Sequence, residues 1–243
     1  VAYPFLLEVY EMKTQWVISH DELWEILSII ESYVFRRFVS DVPTNALNKT
    51  FMLFGKDIQS YDDYRENYLE VFKHVILSKT SSQRFPNNAE FWAALLTKDI
   101  YNTQSRNKLH LLERLENYNH RESDITKLID EWTLSVEHVM PQTLTPTWQS
   151  ELWSEYKRIH ESYLHTLGNI TLTGYNSKYS NKSFTEKKTM EKWFNESVLY
   201  LNKYLSSIDT WTEEHIQERV KVLREKSLNV WKQPVSSYVV KKD

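Results

Sequence analysis

A glutamate and a histidine stand together at the end of a predicted β-strand. Glu137 and His138 lie between apolar Val136 and Val139, and Pro141 prevents further strand pairing. A strand that ends there leaves a carboxylate and an imidazole side by side. Such a pair can supply a general base and a metal ligand, or it can be a solvated loop or a purely structural pair.

More polar side chains follow around a second predicted strand. Asn169 precedes the β-branched segment Ile170–Thr173, and Gly174 ends that strand. Asn176 and Asn181 come next, before a helix. The predicted order is strand, strand, helix, and two of the chain's three glycines lie at the ends of the second strand. Glycine there indicates either a close approach of another segment or simply a strand end.

The two pieces together resemble the HNH, or ββα-metal, endonucleases. Among these endonucleases, the two segments are similar to the C-terminal nuclease domain of GmrSD-type, modification-dependent restriction proteins. The resemblance rests on Glu-His-Val-Met-Pro-Gln at 137–142 and on Leu-Gly-Asn-Ile-Thr-Leu-Thr-Gly-Tyr-Asn-Ser-Lys-Tyr-Ser-Asn-Lys from residue 167. Looser likeness extends towards Val1.

This resemblance implies that the protein hydrolyses DNA phosphodiester bonds and leaves 5′-phosphate ends. His138 would be the general base that activates a water molecule. Asn169 would orient its imidazole, because a base acts only when a second group fixes its tautomer. His165 would either contact the phosphate or pack beside the site.

The resemblance also implies a divalent cation, Mg²⁺ with Mn²⁺ as an alternative. Glu137 and Asn176 would offer oxygen ligands to this hard ion, which keeps several waters and takes the scissile phosphate. Asn181 is either the ligand in place of Asn176 or a cap for the following helix. Glutamate stands where aspartate is frequent in the family, so the carboxylate reaches further by one methylene.

The formal net charge of −3 is unlike that of a protein that coats DNA, so any contact with DNA must be local. Lysines are concentrated after the second strand, and they could form a basic DNA-binding surface beside the metal or simply a solvated helix face. These residues are Lys178, Lys182, Lys187 and Lys188.

Composition indicates an ordinary soluble protein, with 41% hydrophobic and 26% charged residues. No apolar run approaches the roughly 20 residues of a membrane span, so we expect a cytoplasmic protein without a membrane partner. The absence of cysteine excludes disulfides and a four-cysteine zinc site. The resemblance implies a further domain, before Val1, that senses DNA modification and hydrolyses nucleotides.

The predicted fold is mostly α: an N-terminal helical bundle over 1–120, and over 121–243 a ββα-metal (HNH) nuclease element embedded in helices. A polar connection at 119–124 marks the boundary. Helical spacing predicts helices over about 20–38, 61–78, 88–96, 105–118, 146–159, 183–205 and 213–228, with a turn region at 41–49 and a frayed tail from Gln233. Tryptophans of the 146–159 helix should pack on the bundle, or alternatively stack on bases.

The sequence therefore favours a metal-dependent DNA endonuclease, the cutting part of a restriction or phage-defence protein. The alternative from another class is a catalytically silent helical module that binds DNA or a partner domain. An RNase is a lesser alternative, because a metal site alone does not distinguish the two sugars.

Overall fold

A computed structural model describes residues 1–118, 125–131, 133–174, 180–190 and 194–240. These residues are mostly helical, as predicted, with one small two-stranded sheet. The chain divides into two compact units, Val1–Ala94 with Trp231–Asp243, and Leu95–Val230. The boundary predicted at 119–124 lies outside the described residues, and the division into 1–120 and 121–243 stays a prediction.

The first unit is a helical bundle around an aromatic core. Its helices are α1 (Tyr3–Thr14), α2 (His20–Val39), α3 (Leu47–Gln59) and α4 (Tyr68–Ser78), and α5 (Asn88–Thr97) begins in it. Phe5, Phe54 and Phe72 are fully buried, with Phe5 and Phe54 ring centroids 5.2 Å apart. The start of α2 is fixed by a capping box, in which Ser19 Oγ accepts from Glu22 N and Glu22 Oε2 accepts from Ser19 N at 2.7 Å.

Three predictions for this unit are wrong in detail. The helix expected over 61–78 begins only at Tyr68, because residues 61–67 form turns. The region expected to be a turn at 41–49 already begins α3 at Leu47. The described part of the tail, 233–240, is not frayed: Glu70 Oε2 accepts from Ser237 N at 2.6 Å and Asp63 Oδ1 accepts from Tyr238 O–H at 2.6 Å. Contacts distant in sequence thus fix a polar segment that composition alone marks as loose.

The second unit contains the sheet and further helices. In chain order its elements are α6 (Ser105–Asn117), α7 (Ile125–Asp130), β1 (Ser135–His138), α8 (Pro146–Glu151), α9 (Tyr156–Tyr163), β2 (Ile170–Thr173), α10 (Phe184–Thr189), α11 (Tyr200–Ser206) and α12 (Glu213–Val230). The two strands are antiparallel, with Ser135 opposite Thr173 and His138 opposite Ile170. This register places the end of β1 beside the start of β2. Among the described residues, no helix is long and apolar enough to cross a membrane.

Two helices predicted as continuous are interrupted. The chain leaves α8 through a 3-10 turn whose first residue, Trp153, has a φ of 60°. Trp148 is fully buried in a core of the second unit with Phe184 and Trp211, not on the N-terminal bundle as predicted, and Trp153 is 79% exposed. The segment 183–205 divides into α10 and α11. A new helix can begin at Tyr200 because the Glu116 carboxylate accepts from the backbone N–H groups of Tyr200 and Leu201, a distant cap that helical spacing does not reveal.

Helix α12 lies directly against the segment that enters β2. A Cβ on Gly168 would come within 2.7 Å of methyl groups of Ile216 and Val220, so this position requires glycine. The fully buried Arg219 guanidinium donates to the carbonyls of Leu167, Gly168 and Ile170 at 2.8 to 3.0 Å. These contacts fix the backbone around Asn169.

Candidate active site

Two of the predicted residues, His138 and His165, are in direct contact. Nε2 of His138 lies 3.2 Å from Nδ1 of His165, and the ring centroids are 5.3 Å apart. His138 ends β1, and His165 lies just before β2, so the strand pairing brings both to one end of the sheet. His138 is 5% exposed.

Tyr101 is part of this cluster, although nothing in the sequence analysis singled it out. Its ring lies 4.1 Å from that of His138 and is stacked at 15° on that of His165, with centroids 5.5 Å apart. The backbone N–H groups of Ile100 and Tyr101 both donate to the His165 carbonyl. Lys108 Nζ lies 4.2 Å from the centre of the Tyr101 ring and donates to the Tyr101 carbonyl at 2.6 Å. Tyr101 thus contacts both imidazoles through its ring and anchors His165 through its backbone.

Glu137 forms a buried ion pair with Lys187. Lys187 Nζ lies 2.6 Å from Glu137 Oε1, and it also donates to the carbonyls of His138 at 2.7 Å and Val139 at 3.1 Å. Lys187 is fully buried, so the expectation of a surface lysine at this position is wrong. The reason is that α10 turns this side chain inward onto the end of β1. Burial raises the pKa of Glu137 and lowers that of Lys187, while their mutual attraction opposes both shifts.

The side-chain amide of Asn169 binds backbone instead of the imidazole that it was expected to orient. Its Oδ1 accepts from Met140 N at 2.8 Å and from Trp211 Nε1 at 3.1 Å. Its Nδ2 donates to the carbonyls of Met140 and Leu164 at 2.9 and 3.0 Å. These four bonds use the hydrogen-bonding capacity of a fully buried amide, so Asn169 fixes the chain after His138.

The imidazole of His138 is neutral at neutral pH. Burial, followed by the neighbouring His165 and Lys187, lowers the pKa of His138 to about 3. A neutral imidazole is in the protonation state that a general base requires.

A small cavity of about 140 Å³ adjoins the cluster, and its walls include three predicted residues, Glu137, His138 and Asn181. The other lining residues are Tyr101, Val136, Pro141, Gln142 and Ser180. Asn181 therefore shares a cavity with the candidate base and the candidate acidic ligand. The alternative ligand, Asn176, lies outside the described residues, as does Lys178.

The oxygen atoms around this cavity fit a hard cation only in part. Within the described ranges, no group of three or more His, Cys, Asp or Glu side chains could hold a metal ion. Glu137 and Asn181 are nevertheless both among the residues that line this cavity, and Mg²⁺ typically takes few protein ligands and keeps several waters. Glu137 and Asn181 would hold such an ion.

The remaining predicted lysines are engaged with neighbouring side chains. Lys188 Nζ lies 2.7 Å from Asp209 Oδ1, and its side chain is 15% exposed. Lys182 Nζ lies 3.1 Å from Met190 Sδ. The Lys188–Asp209 pair is open to solvent on one side, because the Asp209 side chain is 94% exposed.

The fold and the site define a mostly helical protein with a histidine cluster at one end of a two-stranded antiparallel sheet. The chain matches the model of the family described as GmrSD restriction endonucleases, C-terminal domain, over residues 85–226. The match covers more than half of the sequence, so the chain belongs to this family. Membership confirms the predicted relationship and implies the nuclease part of a restriction protein. No curated protein and no solved structure matches the chain significantly.

Proposed function

We propose that the protein is a metal-dependent DNA endonuclease with an HNH-type, ββα-metal site centred on His138. The observation that carries this proposal is the shared cavity: His138, Glu137 and Asn181 line one space at the end of the strand pair. The antiparallel pair β1–β2 followed by α10 agrees with a ββα element in which α8 and α9 are inserted between the two strands. Family membership supports the nuclease reaction itself.

In the proposed reaction His138 accepts the proton of the attacking water. In the tautomer in which His138 Nε2 donates to His165 Nδ1, the Nδ1 atom of His138 carries the lone pair that accepts this proton. Burial and two neighbouring cationic or protonatable groups keep the ring neutral until that transfer. A divalent cation held by Glu137 and Asn181 would supply positive charge to stabilise the phosphorane and the leaving oxygen.

Other residues of the cluster act by position. Tyr101 packs on both imidazoles, and Asn169 fixes the backbone of Met140 directly after the strand. Lys187 balances the charge of Glu137 from inside the protein. Of the described lysines, we propose that Lys182 and Lys188 contact DNA phosphates. To do so, Lys182 would have to leave Met190 and Lys188 would have to leave Asp209.

The test is incubation of the protein with supercoiled plasmid in Mg²⁺ or Mn²⁺, and again with chelator. We expect nicking that requires metal and that falls at least about 100-fold in His138→Ala, the size expected for loss of a general base. His20→Ala is the matched control, because His20 is an exposed histidine of the first unit. Circular dichroism should give the same helical signal for both variants.

Three results would contradict the proposal. Undiminished nicking in His138→Ala would refute the base assignment. Cleavage of RNA but not of DNA would favour an RNase. The absence of metal-dependent cleavage would favour a catalytically silent module.

A further inference from the structure

A second and larger cavity lies in the same unit, and it shares no lining residue with the histidine cluster. Its volume is about 660 Å³, within the range of roughly 300 to 1,000 Å³ that is typical of small-molecule sites. We call it the lysine–tyrosine cavity. Its lining residues are Tyr118, Tyr200, Lys203, Lys221, Val222, Glu225, Lys226 and Asn229, contributed by α11, by α12 and by the residue that follows α6.

Two lysine ammonium groups surround one tyrosine ring in this cavity. Lys226 Nζ lies 2.8 Å from the centre of the Tyr200 ring, and Lys203 Nζ lies 5.4 Å from the same centre. The Tyr118 ring is 5.9 Å from Lys226 Nζ. The cavity therefore combines two aromatic rings with a pair of neighbouring cations.

The charges of the lining favour an anion. Three lysines and one glutamate line the cavity, which leaves an excess of two positive charges (three minus one). The carboxylate of Glu116, which attracts Lys226, is already bound to the backbone of Tyr200 and Leu201. Burial lowers the pKa of Lys226 to about 8, and repulsion from Lys203 contributes. An anion bound between the two lysines would relieve that repulsion.

We propose that the lysine–tyrosine cavity binds a nucleotide, with the phosphate at Lys203 and Lys226 and the base against the Tyr118 ring. Cationic side chains beside aromatic rings are the combination by which proteins hold single-stranded nucleic acid, because phosphates need cations and every base has a face that can stack. The nucleotide is either free or part of a DNA strand. This site is independent of the cleavage chemistry at His138.

Binding is measured in a His138→Ala background, so that the result does not depend on cleavage. The probes are a fluorescently labelled single-stranded oligodeoxythymidylate, followed by anisotropy, and unlabelled AMP as competitor. The test variant is Lys203→Ser with Lys221→Ser, since Lys221 is 66% exposed and Lys203 lies at the surface of α11. The control is Lys157→Ser, because Lys157 also lies over a tyrosine ring, at 5.9 Å from Tyr156, but away from this cavity.

We expect the double variant to weaken oligonucleotide binding about tenfold or more at fixed salt and to reduce its salt dependence, since it removes Lys203, one of the two proposed phosphate-binding lysines, and a further cation of the lining, Lys221. Lys157→Ser should stay within about twofold of the parent. Tyr118→Leu should weaken binding by a similar factor, because one stacking ring is lost. If AMP displaces the oligonucleotide from the parent protein but not from the double variant, the cavity is a site for free nucleotides. If the oligonucleotide binds and AMP does not displace it, the cavity contacts a DNA strand. Unchanged affinity for both probes in the double variant would overturn the proposal.

Discussion

Lys187→Met should destabilise the protein strongly, whereas Lys188→Met, at the next position, should have little effect. The Lys187 ammonium is fully buried and makes three bonds, to Glu137 Oε1, His138 O and Val139 O. Methionine has similar length and no charge. It therefore leaves a carboxylate and two carbonyls in the interior without their donor.

The magnitude follows from the burial of the pair. Removing one partner of a buried ion pair typically costs about 3 to 5 kcal/mol, because the remaining charge is uncompensated. Glu137 can limit this cost by binding a proton, since burial already raises its pKa. We therefore expect a loss of about 3 kcal/mol and a melting temperature lower by about 10 °C. Lys188 pairs with an Asp209 that is 94% exposed, so its loss should cost less than about 1 kcal/mol.

Urea unfolding followed by circular dichroism measures both variants, and the double variant Glu137→Gln with Lys187→Met completes the comparison. Removing both charges should restore part of the lost stability, because no isolated ion remains in the interior. A Lys187→Met protein as stable as Lys188→Met, within about 1 kcal/mol, would refute a buried, energetically coupled pair.

Two further predictions concern other parts of the second unit. Tyr101→Leu should reduce the cleavage rate in the plasmid assay about 100-fold, because both histidines would be misplaced. Tyr101→Phe keeps the ring, so its cleavage rate should stay within about threefold of the parent. Equal losses in both variants would contradict a role for the ring. The free energy of unfolding should rise as pH increases from about 8 towards 10.5. Folding lowers the pKa of Lys226 from its ordinary value of 10.5 to about 8, so the unfolded chain binds more protons than the folded chain in that interval. The increase in the free energy of unfolding should be about 1 kcal/mol, because solvent screens the partly exposed Lys226. Urea unfolding at about pH 8 and about pH 10 measures this increase, which should disappear in Lys226→Met.

The sequence predicts those features of the fold that depend on neighbouring residues. The second strand is observed at the predicted residues, Ile170–Thr173, because β-branched side chains and a following Gly174 are local signals. Ser19 and Ser183 form capping boxes, a feature that the sequence itself indicates because each box joins residues three apart. His138 at the end of a strand follows from the same kind of information.

The partners of the site residues depend on contacts between distant segments. Lys187 and Lys188 are adjacent in a basic run, yet one is fully buried and the other pairs at the surface. The rotation of α10 against β1 decides between them, and a six-residue helix has too little periodicity to indicate it. Tyr101 joins the site through a loop before α6, and no spacing rule connects that loop with the two strands.

The same distant contacts give the site its charge. Glu137 carries a negative charge that Lys187 offsets, and His138 is neutral, so these three residues together are close to neutral. A divalent cation held by Glu137 and Asn181 would then add about two positive charges to this nearly neutral group. The phosphodiester that undergoes hydrolysis gains negative charge in the transition state, and a positive centre stabilises it more strongly there than in the ground state. An internal lysine paired with the acidic ligand is therefore compatible with catalysis by the cation. Because Lys187 already offsets the charge of Glu137, the positive charge of the cation would remain available to the phosphate. The Glu137 carboxylate has a second oxygen, which could still act as a ligand.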